Sequence, residues 1–360
     1  MIKLIVTRYI SREISWNCIA IFMVLLAIAL SNKFVALLAK SATGVIPASY
    51  IFKLIGLYIP ELAVLLLPLA FFVAVLFTYS RLNTDSEMTI LLASGFSFQA
   101  IAKIIIANAA IVALLVAGLT LYAVPKSIGA QQELLKKAMV LGAIDTIVPG
   151  KFQEFADNGT VFYIENSARK SAMHGAFIAS ETAEKRWVII TADQAKIHQS
   201  SNNNIHENFL VLQDGHRYVG AGAGLDLSYT NFSEYGRAII PETKMRASQA
   251  SHKARTTVAL WHATTLRDNS ELQWRVALPI SVVVLAFWAI LLSAHQPRRE
   301  RILPFIMAVV VYVVYFNLLT MARRWIYQDI IPTFVGLWWV HILAMAIVLF
   351  FLHQKSRNKL

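Results

Sequence analysis

Charge is so scarce in this chain that the gaps between charged residues can be read as structure. Only 15% of the 360 residues are Asp, Glu, Lys or Arg, and six runs of 19 residues or more hold none: 14–32, 62–80, 104–125, 276–297, 302–322 and 330–354. A helix rises about 1.5 Å per residue and the hydrocarbon core of a bilayer is about 30 Å thick, so a spanning helix needs roughly 20 apolar residues. Six transmembrane helices are therefore expected. A soluble domain is usually about 25% charged, which sets this chain outside the ordinary cytosolic enzymes.

The charges that exist are unevenly placed. Residues 126–271 hold 16 basic and 15 acidic side chains, while the rest of the chain holds 17 basic and 6 acidic, so almost all of the net +12 lies beside the apolar runs. That is a topology signal rather than a nucleic-acid patch. Lys3, Arg8 and Arg12, the turn His295-Gln-Pro-Arg-Arg-Glu-Arg301, and Lys355, Arg357 and Lys359 share one side of a six-span chain, with the 81–103 loop. The positive-inside rule makes that side cytoplasmic, with both termini inside and the neutral insert outside. The first run exceeds the 7 to 15 apolar residues of a signal peptide, so it reads as a retained helix. The single cysteine, Cys18, lies within it and permits no internal disulfide.

The insert changes character along its length. Residues 134–141 read as a helical continuation of span three. From Pro149 onward, β-rich runs follow one another: 152–155, 161–164, 176–179, 187–190, 209–212 and 225–232. Asp157-Asn-Gly159, Ser200 to Asn204 and Asp214-Gly215 punctuate them as turns, and this pattern suggests a sandwich or jelly roll. The expected architecture is an α-helical membrane protein of three plus three transmembrane helices with an inserted all-β, jelly-roll-like domain. Its parts are residues 1–125, 126–270 and 271–360.

Motifs of self-contained chemistry are missing. The sequence has no G-x-x-x-x-G-K-[ST], H-E-x-x-H or G-x-S-x-G, so any energy from nucleotide hydrolysis must come from a partner. His198 and His206 are read as loop residues without acidic or cysteine partners at ligand spacing. Lys53 and Glu61 are eight positions apart, about 12 Å along a helix, too far to pair directly. No cofactor is expected.

The loop after span two is more informative. Thr84-x-x-Glu87 has the form of a capping box before an apolar run, and Gly95 is placed to end a helix, so a short helix over about 84–94 is expected. Asp85, Glu87, Met88, Ile90 and Leu91 would give it acids at its start and an apolar flank suited to a partner.

At this point the chain resembles a family. The Asp85-Ser-Glu-Met-Thr loop with its later Ala-Ser-Gly95, Pro60-Glu61, Gly150-Lys-Phe-Gln followed by Asn158-Gly-Thr-Val-Phe-Tyr-Ile-Glu165, and Glu271-Leu-Gln-Trp-Arg275 are similar to segments of the LptF/LptG permeases of lipopolysaccharide export. The 295–301 turn resembles the family's N-P-R-x-x-R turn, with His-Gln in place of Asn. The match runs over nearly the whole chain in the right order and lies nearer the LptF branch.

That resemblance implies a heterodimer with an LptG-like second permease, an LptB-like ATPase dimer, an LptC-like periplasmic protein and lipopolysaccharide as substrate. It implies that Glu87 lies on a coupling helix seated in the ATPase, and that Lys33 lies near the phosphorylated headgroup, with Lys40 and Arg275 as further candidates. The family's second basic position after Lys33 is Ala36 here. An acyl-chain path would need apolar strand faces, for which Phe162, Ile164, Ile178, Ile190 and Leu212 are candidates. Two other readings stand beside this one: an envelope-lipid enzyme, for which His295 and Asp329 are the available groups, and a non-transporting mechanotransmitter of the FtsX type, whose large domain would follow the first span rather than the third.

Overall fold

The structure, a computed structural model, describes residues 2–42, 46–145, 150–155, 160–169, 172–182, 186–202, 205–221, 227–238, 252–262, 265–293 and 303–357. Helices α1 (Ile2–Ala42), α2 (Ile51–Thr84), α3 (Glu87–Ala93), α4 (Phe98–Gly118) and α5 (Val124–Asp145) precede strands β1 (Gln153–Phe155), β2 (Thr160–Arg169), β3 (Ala172–Glu181), β4 (Arg186–Asn202), β5 (Ile205–Ala221) and β6 (Ser228–Ala238). Helices α6 (Thr257–Trp261), α7 (Leu266–Ser293), α8 (Leu303–Tyr327) and α9 (Trp338–Arg357) follow. The chain divides into two compact units, one of Met1–Phe34, Ile55–Gln131 and Ala250–Leu360, the other of Val35–Leu54 and Gln132–Gln249.

Among the described residues, five of the six expected helices are long and apolar enough to cross a membrane, and the sixth apolar helix, Trp338–Gln354, is shorter. The sixth uncharged run is helical only from Trp338 because Asp329 and Gly336 both take positive φ and Pro332 lies between them. A Cβ on Gly336 would fall 2.7 Å from Cδ of Gln273. That glutamine closes the start of α9: its side-chain nitrogen donates to the Thr333 carbonyl (2.6 Å), and its oxygen accepts from Leu337 N (3.1 Å).

The apolar core of the helical unit gathers Ile10 and Ile14 of α1, Phe71, Phe72 and Leu76 of α2, Ile101 and Ile105 of α4, and Val282 and Leu285 of α7. The prolines inside these helices leave carbonyls without their usual donors, since proline has no N–H to give four residues back. Pro125 frees the Leu121 carbonyl, and the intervening Leu119–Ala123 segment relaxes into a π turn in which Val124 N reaches Leu119 O. The Thr257 hydroxyl of α6 then donates to the freed Leu121 oxygen (2.6 Å).

In the other unit each of the six expected runs falls on a strand, with β1 starting at Gln153 and β6 at Ser228, and the strands are hydrogen-bonded in the order β1-β2-β3-β4-β5-β6, antiparallel throughout. The all-β insert is as expected, and its connectivity is a meander of neighbouring strands. Of the three turn readings, Ser200 to Asn204 has its first three residues in β4 and its last two outside the described residues. Asp157-Asn-Gly159 lies outside the described residues. Asp214-Gly215 is not a turn: it sits in the middle of β5, with Asp214 at φ 52°. His198 and His206 belong to the paired arms of β4 and β5, not to a loop, because β4 runs on to Asn202 and Asn202 pairs Ile205.

The reason for the kink is visible in the registers. On one side of it, Ala176, Ala192, Gly215 and Phe232 form a cross-strand row; on the other, Met173, Ala195, Leu212 and Tyr235 form the next inward row. These rows are three residues apart, whereas a flat strand repeats its facing every two. The inward face therefore switches parity along a crease through Gly175 (φ 65°) and Asp214. A crease of this kind folds one continuous sheet toward itself, so that both arms of β5 supply residues to one core: Leu210 and Leu212 from one arm, Val219 from the other. A Cβ at Gly215 would strike the Thr191 carbonyl and come within 2.6 Å of the Phe232 ring, which is why glycine stands there.

Candidate functional site

The junction of α2, α3 and α4 is built differently from the expected capping box. Helix α2 runs on through Thr84, which therefore cannot cap α3; Ser86, in the left-handed region at φ 60°, is the residue before Glu87 and makes no side-chain cap. The end of α3 follows expectation. Gly95 has φ 89°, Gly95 N donates to Leu92 O (3.1 Å), and Phe96 N donates to Leu91 O (3.0 Å). This pair of bonds is a Schellman closure, and Phe96 and Leu91 both join the helical core.

The Glu87 carboxylate, freed from capping, is held by two other helices. The Tyr9 hydroxyl of α1 donates to its Oε2 (2.8 Å), and the Arg81 guanidinium of α2 lies 3.9 Å from its Oε1. Arg81 also donates to the Tyr9 oxygen (2.6 Å) and pairs with Glu13 (3.2 Å). Glu87 keeps 34% of its side chain exposed. Met88 is buried in the core and cannot meet a partner, which corrects the expectation for it, and Leu91 packs inward. Ile90, 65% exposed, and Leu92, 46% exposed, present the apolar edge, with Asp85 exposed beside them. Leu92 belongs to the apolar run already expected of this helix, whereas the ties of Tyr9 and Arg81 are not legible in the sequence: Tyr9 and Glu87 are 78 positions apart, and no spacing rule joins them.

The three candidate headgroup residues separate. Lys33 has its ammonium 4.8 Å from the centroid of the Tyr58 ring, a cation–π contact between α1 and α2. Lys40 is exposed in the last turn of α1. Arg275, expected as a headgroup-binding residue, is only 2% exposed and its guanidinium is committed within the chain, which corrects that expectation. It pairs with Glu271 (3.2 Å), and donates to the Thr257 hydroxyl (3.0 Å) and the Lys253 carbonyl (2.9 Å). Glu271 also pairs with Arg323, which lies over the Trp274 ring. One turn earlier, Asp268 takes His252, Arg255 and Thr265. The motif Glu271-Leu-Gln-Trp-Arg275 is thus a buried fastening: its charges hold residues 252–257 and α8 to α7, and its Gln273 closes α9.

The five candidate path residues come together. Phe162 pairs Ile178, Ile178 pairs Ile190, and these with Ile164 and Leu212 line the inward face of the creased sheet. All five are buried. They belong to one hydrophobic core.

Helices that cross a membrane, an inserted creased sheet with an apolar interior, and a short helix offering an acid and an apolar edge define a multi-pass membrane protein with an inserted β domain. The chain belongs to the lipopolysaccharide export system permease family LptF/LptG, whose model matches residues 8–354. It is 29% identical over 350 residues to the lipopolysaccharide export system permease protein LptF of Escherichia coli strain K12, covering 96% of this chain and 94% of that one. The LptF proteins of Escherichia coli O157:H7 and Shigella flexneri match to the same extent. The resemblance read from the sequence motifs is borne out.

Proposed function

We propose that this chain is one permease subunit of an ABC transporter in the Gram-negative inner membrane, extracting lipopolysaccharide and passing it to a periplasmic bridge. The match to the permease family over residues 8–354 carries this reading. Both termini and α3 face the cytoplasm, and the sheet faces the periplasm, because the basic residues cluster at one end of the spans. An LptB-like ATPase dimer docks on α3 through Glu87, Asp85 and the exposed Ile90, with Leu92 beside them. An LptG-like permease completes the lipid cavity, and an LptC-like protein receives the lipid from the sheet. Lys33 and Lys40 serve the phosphorylated headgroup at the outer interface, where a charge-assisted contact is worth about 1.5 to 3 kcal/mol. The acyl chains follow the face of Phe162, Ile164, Ile178, Ile190 and Leu212.

The test is co-purification after mild detergent extraction. The wild-type chain brings an ATPase and a second permease with it, whereas Glu87→Lys leaves the permease pair intact and loses the ATPase. Retention of the ATPase and normal export by Glu87→Lys would remove Glu87 from the docking site.

A further inference from the structure

Helix α1 carries a group of polar ties near its start. Residues 9–17 supply them: Tyr9 to Glu87 and Arg81, Glu13 to Arg81, the Ser11 hydroxyl accepting from Asn108 of α4 (2.9 Å), and Asn17 donating to Thr78 of α2 (2.9 Å). Ile10, Ile14 and Cys18 are buried on the same stretch. Beyond it, Ile19, Met23, Val24 and Ile28 are exposed, while Ile21, Phe22 and Leu25 pack on the core and Lys33 meets the Tyr58 ring. Helix α1 is therefore tied near its start to α2, α3 and α4. Its fastening point is shared with α3.

We infer that Tyr9 and Arg81 are positioning residues that clasp α3 to the base of α1, so that a displacement of α3 is delivered to α1. The inference rests on the docking role proposed for Glu87. The chemistry suits it. The Tyr9 hydroxyl accepts from Arg81 and donates to Glu87, so a single group on α1 closes a charged ring between the end of α2 and the start of α3. Arg81 adds a second hold on α1 through Glu13. Hydrogen bonds with an ionised partner are roughly twice as strong as neutral ones and fix direction as well as distance. Met88 and Phe96 lock the other face of the turn into the helical core, so α3 cannot swing without moving what it is tied to.

The discriminating quantity is lipid exported per ATP hydrolysed, measured with the whole complex in vesicles containing lipopolysaccharide. Tyr9→Phe removes only the hydroxyl, and Arg81→Gln removes the charge. Each is expected to keep the ATPase bound and hydrolysing ATP while the export ratio falls by about fivefold or more, the lower end of a typical coupling factor. A misfolded fraction would lower hydrolysis and export together and leave their ratio alone. Arg81→Lys, which keeps a cation near Glu87 and Glu13, recovers part of the ratio. An unchanged ratio in both Tyr9→Phe and Arg81→Gln overturns the clasp, as does release of the ATPase by Tyr9→Phe, which would assign the hydroxyl to docking instead. Glu87→Gln tests the underlying reading separately: if that variant keeps both the ATPase and a normal ratio, docking through Glu87 fails whatever Tyr9 does.

Discussion

Arg275 and Lys33 are both cations beside apolar runs, and their surroundings give them different work. The Arg275 guanidinium is enclosed by Glu271, Thr257 and the Lys253 carbonyl. Breaking a buried ion pair by removing one partner costs about 3 to 5 kcal/mol, because the other charge is left unsatisfied. Arg275→Ala should therefore lower the thermal stability of the detergent-solubilised chain by that order, and Arg275→Lys should not restore it, since one ammonium cannot reach all three partners. Lys33→Glu, at a half-buried position whose mapped contact is the Tyr58 ring, should melt close to wild type and yet reduce lipopolysaccharide export. A Lys33→Glu variant that exports at the normal rate would move the basic rim to the partner permease, with Ala36 as the reason. The sequence made Lys33 legible because it ends a charge-free run. It could not show that Arg275 is buried, since its partner at Lys253 is 22 positions away and acts through its backbone.

Among the elements, the strands were legible and their bending was not. Alternating β-branched and aromatic runs mark where β2 to β6 lie, but Asp214-Gly215 has the composition of a turn, and only the neighbouring Thr191 and Phe232 make it a kink within a strand. Gly215→Ala should destabilise the sheet by roughly 1 to 3 kcal/mol, the usual cost of overpacking. Gly236→Ala, where an added Cβ meets nothing within 4 Å, should be neutral in the same urea titration. Equal effects at the two positions would deny the crease its tight packing. In α3 the signals of Gly95 and the apolar run were read correctly, while Thr84 was not an N-cap because α2 continues through it. Ile90→Asp should weaken ATPase binding without unfolding the chain, and Met88→Asp should unfold it, since Met88 is buried. Loss of the ATPase at unchanged melting temperature for Met88→Asp would contradict that division.

Across the whole molecule, the helices apolar enough to span a membrane and the six-stranded sheet each have their own hydrophobic core. The order of the parts was readable because charge-free runs, a neutral β-rich insert and motifs in a fixed order each occupy their own stretch of sequence. Side chains brought together from far apart, such as Tyr9 with Glu87, were not readable, because no local pattern joins them. The central claim is that lipopolysaccharide passes along the inward face of the sheet at the expense of ATP. It is tested most directly by photo-crosslinkers placed at Ile178 and Ile190 in the assembled complex, with and without hydrolysable ATP. The account predicts lipopolysaccharide adducts at both positions that accumulate only while ATP is hydrolysed. Adducts that form equally without ATP, or that never form, would contradict it and leave these residues as an ordinary closed core.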